Sequence, residues 1–179
     1  MEPLRYVAME IVLVRGFEAI EDKDAKVLVL GTIPGPKSLE VGQYYADKKN
    51  SFWFIMGRLF GAYPSLNYVE RCVILRASGL AVWDVLASGE RRGSKDSKIV
   101  QGSEAPNDFA MFFSQHASAR NVFFNGLAAE ELFRKLVLPR LTGQGCNLNL
   151  KRLPSTSGEN THLTKEEKVE EWKVIACSL

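Results

Sequence analysis

The sequence has little of what builds metal centres or disulfide frameworks. Its 179 residues include three cysteines and two histidines. Cys72, Cys146 and Cys177 lie far apart and form no CxxC pair, which excludes a four-thiolate zinc or iron–sulfur site from this chain alone. With only His116 and His162, a histidine-rich metal centre is not expected either.

Long apolar runs and a recognisable leader are also missing. No apolar run approaches the roughly 18 residues needed to cross a bilayer. An apolar patch at Ile11–Val14 is flanked by Glu2 and Glu10, without the basic start and small-residue cleavage site of a signal peptide. We therefore expect a soluble, intracellular (cytoplasmic) protein with no membrane partner.

Neither sign of charge dominates, so the overall balance does not decide the kind of partner. The chain has 23 basic and 21 acidic residues, a net charge of +2. Three local clusters are basic, and each is either a solvated face or a set of phosphate contacts. They are Lys48-Lys49, Arg91-Arg92 with Lys95 and Lys98, and Lys151-Arg152.

Apolar runs that alternate with helical patterns predict an α/β fold. Lys26–Gly31 (KVLVLG) is typical of a buried parallel strand. The next segment, Thr32–Pro36, contains two prolines and is therefore predicted to be a loop. From Phe52 the apolar residues follow helical spacing. Similar patterns predict strands at Leu80–Val85, Asn121–Phe124 and Asn147–Leu153, helices at about Asn67–Ala77 and Asn107–Gln115, after Gly126 and after Thr164, and a surface loop at Ser88–Glu104. We expect one domain, residues 1–179, folded as a three-layer α/β/α sandwich around a mainly parallel sheet of about four strands.

Three loops follow predicted strands and should meet at one edge of the sheet. They are Thr32–Asn50, Asp84–Glu104 and Pro154–Asn160. The hydroxyls of Ser155–Ser157 suit a phosphate oxygen, and the adjacent Tyr44 and Tyr45 offer rings for a planar base. Each of these motifs by itself could equally be only a tight turn.

In combination, the motifs resemble the uracil-DNA glycosylase superfamily, and within it the hypoxanthine-DNA glycosylase branch. The resemblance runs in order along nearly the whole chain. It rests on Gly31–Gly35, Ser38-Leu39, Tyr44–Ala46, Asn50–Trp53, Trp83–Val85, Gly93-Ser94 with Asp96-Ser97, Phe124–Gly126 and Leu153–Ser157.

The resemblance implies a monofunctional DNA glycosylase of base excision repair. Such an enzyme flips a deaminated base out of double-stranded or single-stranded DNA and hydrolyses its N-glycosidic bond. Hypoxanthine is the expected base, with uracil and xanthine as alternatives. No metal, no organic cofactor, no strand cleavage and no assembly beyond a monomer is implied.

The resemblance also assigns roles to residues, with one departure. Many superfamily members carry a polar side chain at the third position of the first motif to orient the attacking water, and here that position is Ile33. The branch points instead to Asn50 as the catalytic residue, through an amide that holds a water or the departing base. The alternative is that Asn50 only caps the following helix.

Other positions are expected to bind the base or the DNA backbone. The base-binding candidates are Thr32, Ile33, Tyr45, Asp84 and Asn125. Three of them also have a purely structural interpretation. Tyr45 could be a packed core tyrosine, Asp84 a loop cap, and Asn125 part of an ordinary Asn-Gly turn. Phosphate contacts are expected from Ser155, Thr156 and Ser157, and Gly158 with Glu159 would lie near the gap left in the duplex.

Two other functions stay open at this point. A small α/β hydrolase or transferase acting on a nucleotide or sugar phosphate fits phosphate-friendly loops, although the chain has no GxxxxGK[ST] loop and no GxSxG elbow. A catalytically silent nucleic-acid-binding module fits the apolar Ile33.

Overall fold

A computed structural model describes residues 10–141 and 147–179, so Cys146 lies outside the described residues. Its centre is a parallel four-stranded sheet formed by β2 (Val27–Gly31), β3 (Leu80–Asp84), β6 (Asn121–Asn125) and β7 (Asn149–Leu153). The strand order in this sheet is β3-β2-β6-β7. The predicted four-stranded parallel sheet is thus confirmed.

Two apolar layers cover the faces of this sheet. Every residue of β2 is buried, and its side chains alternate between the two layers, as strand geometry requires. Leu28 and Leu30 join one cluster, whereas Val27 and Val29 join the other. The first layer contains α4 (Phe109–Gln115) and α5 (Leu127–Leu132), and the second contains α2 (Phe52–Phe60), α3 (Tyr68–Ala77) and α6 (Lys165–Trp172).

A second, antiparallel sheet was not expected from the sequence. It has the order β1-β4-β5, formed by β1 (Ile11–Arg15), β4 (Leu86–Arg92) and β5 (Ala105–Pro106). The prediction of one surface loop over Ser88–Glu104 is therefore wrong in its first part, because residues 88–92 pair with β1. No helix in residues 10–141 and 147–179 is long and apolar enough to cross a membrane.

Helix ends follow the local signals of the sequence. Asn67 and Thr164 form capping boxes with Glu70 and Glu167, so α3 and α6 each begin with reciprocal side-chain and backbone hydrogen bonds. A short helix α1 (Pro36–Val41) lies within the first loop. After α6 the chain tightens into a 3₁₀ helix, Lys173–Ser178, which brings Ile175 into the core.

One histidine, His116, is part of the packed interior. It is buried, stacks on Phe112 and makes an ion-pair contact of 3.1 Å with Glu21. Its Nδ1 lies 2.9 Å from the Phe112 carbonyl oxygen. These contacts give His116 a structural role remote from the sheet edge described next.

Candidate active site

A pocket of about 1280 Å³ opens at the carboxyl ends of the parallel strands. All three predicted loops contribute to it, so their expected convergence on one edge is confirmed. The candidate residues all line this pocket: Thr32, Ile33, Tyr45, Asn50, Asp84, Asn125, Ser155, Thr156, Ser157, Gly158 and Glu159.

The loop Pro154–Asn160 is tied directly to the end of the first loop. The Ser51 N–H donates to the Thr156 carbonyl oxygen at 2.8 Å. A Cβ atom on Gly158 would lie 2.7 Å from the Cβ of Lys49, so only glycine allows this approach. The two loops therefore form one continuous wall of the pocket.

Asn125 and Thr156 hold that wall to the sheet. The Asn125 Nδ2 group donates to the Thr156 hydroxyl oxygen at 2.8 Å, and the Thr156 N–H donates to Asn125 Oδ1 at 2.8 Å. Thr156 is fully buried. Its N–H and hydroxyl are thus engaged inside the protein, while each polar atom of the Asn125 amide retains capacity for one further hydrogen bond.

Helix α6 anchors the same loop from behind. Trp172 Nε1 donates to the Pro154 carbonyl at 3.0 Å, and Lys168 Nζ donates to the Asn160 carbonyl at 2.8 Å. Both side chains are buried, and burial lowers the pKa of Lys168. Ser155 and Ser157 accept hydrogen bonds from backbone N–H groups two residues later. Their hydroxyl protons stay available as donors towards the pocket.

Tyr45 adopts a strained backbone conformation that places its ring in the pocket. It has a φ of 54°, and among the described residues it is the only non-glycine with positive φ. The ring stacks on Phe52 with centroids 4.0 Å apart. The phenol oxygen is buried and has no hydrogen-bond partner within the described chain. Burial, with the nearby Asp84 charge, raises the pKa of this phenol against the opposing effect of the Asn125 side chain.

Asp84 lies on the pocket floor at the end of β3. The residue is 3% exposed, and its Oδ2 atom has no hydrogen-bond partner among the residues described. A Cβ atom on the neighbouring Gly31 would collide with Asp84 Oδ1 and lie 2.9 Å from the Tyr45 hydroxyl. Burial, assisted by the charge of Asp96, raises the pKa of Asp84 to about 8. At neutral pH this carboxyl group is largely protonated and can both donate and accept a hydrogen bond.

Two charged groups beside Asp84 were missed as site residues by the sequence analysis. Arg91 was assigned to a basic surface cluster, but its β4 position turns it inward and leaves it 2% exposed. Its Nε donates to the Gly93 carbonyl, and its Nη1 has no partner in the described chain. Asp96 lines the pocket, and desolvation of its carboxyl group raises its pKa against the opposing effects of Thr32 and Arg91.

Asn50 makes one side-chain hydrogen bond at the start of α2 and lines the pocket. Its Oδ1 accepts a 2.9 Å hydrogen bond from the N–H of Phe52, the first residue of α2, whereas the N-cap position itself is Ser51. Because an N–H donor must face the amide oxygen, the Nδ2 group points the other way. No partner for Nδ2 is found in residues 10–141 and 147–179, and the side chain lines the pocket. The amide oxygen is therefore engaged at the start of α2, and the amide nitrogen can donate a further hydrogen bond.

The residues at the pocket entrance are ordered by contacts between loops. Ile33 is buried and packs towards β4, so its apolar side chain belongs to the core although it borders the pocket. Glu159 is exposed and forms an ion pair with Lys95 at 3.2 Å, which bridges two loops. Arg152, at the same edge, lies 3.5 Å from Glu130. Exposed pairs of this kind are weak, and they can exchange partners when an anion binds.

Comparison with known proteins identifies the family. No protein-family model matches the sequence. The chain is 35% identical over 162 residues to a hypoxanthine DNA glycosylase of Methanosarcina acetivorans, covering 90% of this chain and 96% of that protein. A hypoxanthine DNA glycosylase of Methanosarcina barkeri is 32% identical over 155 residues, with coverage of 86% and 92%. The chain belongs to the hypoxanthine DNA glycosylase family.

Solved structures agree with this membership. A solution NMR structure from Methanosarcina acetivorans, described as a candidate uracil DNA glycosylase, superposes with a TM-score of 0.75 and 31% identity. The match covers 92% of this chain and 97% of that one. The expected superfamily fold is confirmed, and the protein is an enzyme, a DNA glycosylase.

No group of three or more histidine, cysteine or carboxylate side chains is placed to hold a metal ion within the described residues. The polar groups of the pocket include amides, hydroxyls and carboxyl groups, with basic side chains such as Lys95 and Arg152 among the lining residues. The chemistry available to them is hydrogen bonding, proton transfer and the positioning of water.

Proposed function

We propose that this DNA glycosylase removes hypoxanthine from DNA, with uracil and xanthine as alternative substrates. The observation that carries the proposal is the pocket floor, where Asp84 Oδ2 and the Tyr45 hydroxyl are buried without partners. Buried polar atoms are nearly always hydrogen-bonded, so these two groups are suited to a polar ligand. The family relatives named hypoxanthine DNA glycosylase support this choice of base.

Base recognition follows from the chemistry of the floor. Hypoxanthine presents an N1–H donor next to an O6 acceptor. A protonated Asp84 can accept a hydrogen bond from N1–H and donate one to O6. Backbone groups of residues 31–35, which line the pocket, can form hydrogen bonds with the other polar atoms of the base. Phe52 covers one face of the Tyr45 ring, so its other face is the one on which a flipped base would stack. Asn125 contributes through the free capacity of its amide.

Catalysis requires stabilisation of a sugar with oxocarbenium character and of a base that gains negative charge. We propose that Asn50 Nδ2 holds the attacking water or donates to the departing base, while Oδ1 keeps the amide in place. The N-terminus of α2 starts beside it and favours developing negative charge. Water then captures the sugar, and because no amine nucleophile is assigned, the DNA strand stays intact.

Backbone binding is assigned to the loop Pro154–Asn160. Ser155 and Ser157 can donate to phosphate oxygens, and Thr156 supports them through its buried pair with Asn125. Gly158 and Glu159 would face the gap left by the flipped nucleotide. Release of Lys95 from Glu159 would free a cation for a phosphate. We further propose that the enzyme acts as a single-domain monomer in the cytoplasm.

The test is release of free base by the purified protein from matched duplexes. Each duplex contains one deoxyinosine, deoxyuridine, deoxyxanthosine or deoxyadenosine, and single-stranded forms and free deoxynucleotides are assayed in parallel. We expect release from deoxyinosine DNA and none from the deoxyadenosine control. Activity on free nucleotides alone would instead indicate a nucleotide hydrolase, and binding without release would indicate a silent module.

A further inference from the structure

We propose that Asp84 is the general acid of the reaction, the group that delivers a proton to the departing base. This inference rests on the proposed function, because it concerns the same pocket and the same glycosidic bond. It gives Asp84 a catalytic role beside Asn50, in addition to its proposed hydrogen bonds with the base. The position of the carboxyl group, its unpartnered oxygen and its charged neighbours carry it.

The Asp84 side chain is enclosed by protein and borders the pocket. The carboxyl group is enclosed at the end of β3, with Oδ1 against Gly31 and Oδ2 without a hydrogen-bond partner among the described residues. Within the described residues no lysine, arginine or histidine nitrogen lies within 4.0 Å of it, so no ion pair holds it as a carboxylate. The pocket is the open side of this cage.

The reaction creates a demand for a proton at this place. When the C1′–N9 bond breaks, its electron pair stays with the purine, which would leave as an anion. Transfer of the Asp84 proton to O6 gives the neutral 6-hydroxy tautomer of the base and an Asp84 carboxylate, and the released base then tautomerises to hypoxanthine. Water adds its oxygen to C1′ and gives up one proton, and after release of the base Asp84 takes a proton from solvent. Charge and atoms therefore balance without a further reactant.

The surroundings of Asp84 favour a proton on its carboxyl group at neutral pH. Burial raises its pKa most, Asp96 from the segment Asp96–Lys98 raises it further, and Arg91 of β4 lowers it. Tyr44 and Tyr45, from the loop after α1, stay neutral because burial and the Asp84 charge raise the pKa of each phenol. A pKa of about 8 for Asp84 leaves it mostly protonated yet able to give the proton up. This is the range in which general acids work best near neutral pH.

The experiment measures single-turnover release of hypoxanthine from pH 5.5 to 9.5. Wild type is compared with Asp84→Asn, which keeps hydrogen-bonding capacity but cannot ionise. Asp108→Asn serves as the matched control, because Asp108 caps α4 outside the pocket and asparagine caps equally well. Binding of the deoxyinosine duplex is measured for all three, to separate recognition from chemistry.

We expect the wild-type rate constant to fall about tenfold per pH unit above pH 8. Asp84→Asn should lose about 10²-fold or more at pH 7, with little change in binding and no further fall above pH 8. The control should match wild type throughout. An Asp84→Asn enzyme with near-normal rates, or with the wild-type decline above pH 8, would overturn the acid assignment while leaving the glycosylase proposal intact. A wild type that releases no base at any pH would overturn the proposed function, and the acid role with it.

Discussion

Replacing Asp84 by asparagine should make the folded protein more stable at neutral pH. Asp84 is buried at 3% exposure with one carboxyl oxygen unpartnered, so the native fold disfavours its ionised form. In the unfolded chain the same carboxyl group ionises freely. Folding must therefore take up a proton or bury a charge, and an asparagine does neither.

The size of the effect follows from the two pKa values. The ordinary pKa is 3.8 and the folded one is about 8. Below pH 3.8 Asp84 is protonated in both the folded and the unfolded state, so its ionisation does not change the free energy of unfolding. From pH 3.8 to 8 the cost grows by about 1.4 kcal/mol for each pH unit, and above pH 8 it stays constant. At pH 7 the upper limit is about 4 kcal/mol, relative to a variant that cannot ionise.

The difference in stability can be measured by urea unfolding of wild type and Asp84→Asn at a series of pH values from 4 to 9. The difference in free energy of unfolding should be small near pH 4, rise steadily to pH 8 and then level off. Comparing the two proteins at each pH cancels the titration of all other groups. A difference that does not vary with pH would show that the carboxyl group is not held protonated, and the reasoning about the pocket floor would fail.

Other perturbations test separate parts of the site. Gly31→Ala adds a methyl group against the side chains of Asp84 and Tyr45, so it should abolish most base release. The control Gly89→Ala should not, because the nearest atom to its added methyl group would lie 3.7 Å away. Thr156→Val leaves Asn125 Nδ2 without its acceptor and should cost about 1–3 kcal/mol of stability, measured by urea unfolding, together with affinity for DNA. Affinity for the duplex should fall as salt rises, and less steeply in Arg152→Ala, because Arg152 lines the pocket. A salt-independent affinity would contradict phosphate binding by this edge.

Much of the fold could be predicted because its signals are local. The strand β2 is a short apolar run that ends at glycine, and the capping box at Thr164 marks the start of α6 directly. The convergence of the loops followed from the parallel order of the strands, which fixes where their carboxyl ends meet. These features depend on neighbours in sequence or on a general rule of topology.

The features that were missed depend on partners distant in the chain. The segment Leu86–Arg92 has no clean alternation of apolar and polar residues, and it becomes a strand because β1 pairs with it. Arg91 has the sequence context of a surface cation, and only the orientation of that strand turns it towards Asp84 and Asp96. The burial of Thr156 likewise comes from Asn125, 31 residues away. Sequence patterns carry no record of such pairings.

The most direct test of the account is single-turnover release of hypoxanthine by wild type, Asn50→Asp and Asn50→Ala, with thermal stability measured on the same proteins. Aspartate keeps an oxygen that accepts from the Phe52 N–H, and it replaces the free donor by a second acceptor oxygen of an anionic carboxylate. We expect both variants to lose about 10²-fold or more in rate. Asn50→Asp should keep its stability, and Asn50→Ala should lose about 1 kcal/mol with the cap. A stable and fully active Asn50→Asp enzyme would contradict the central claim that the Asn50 amide carries catalysis.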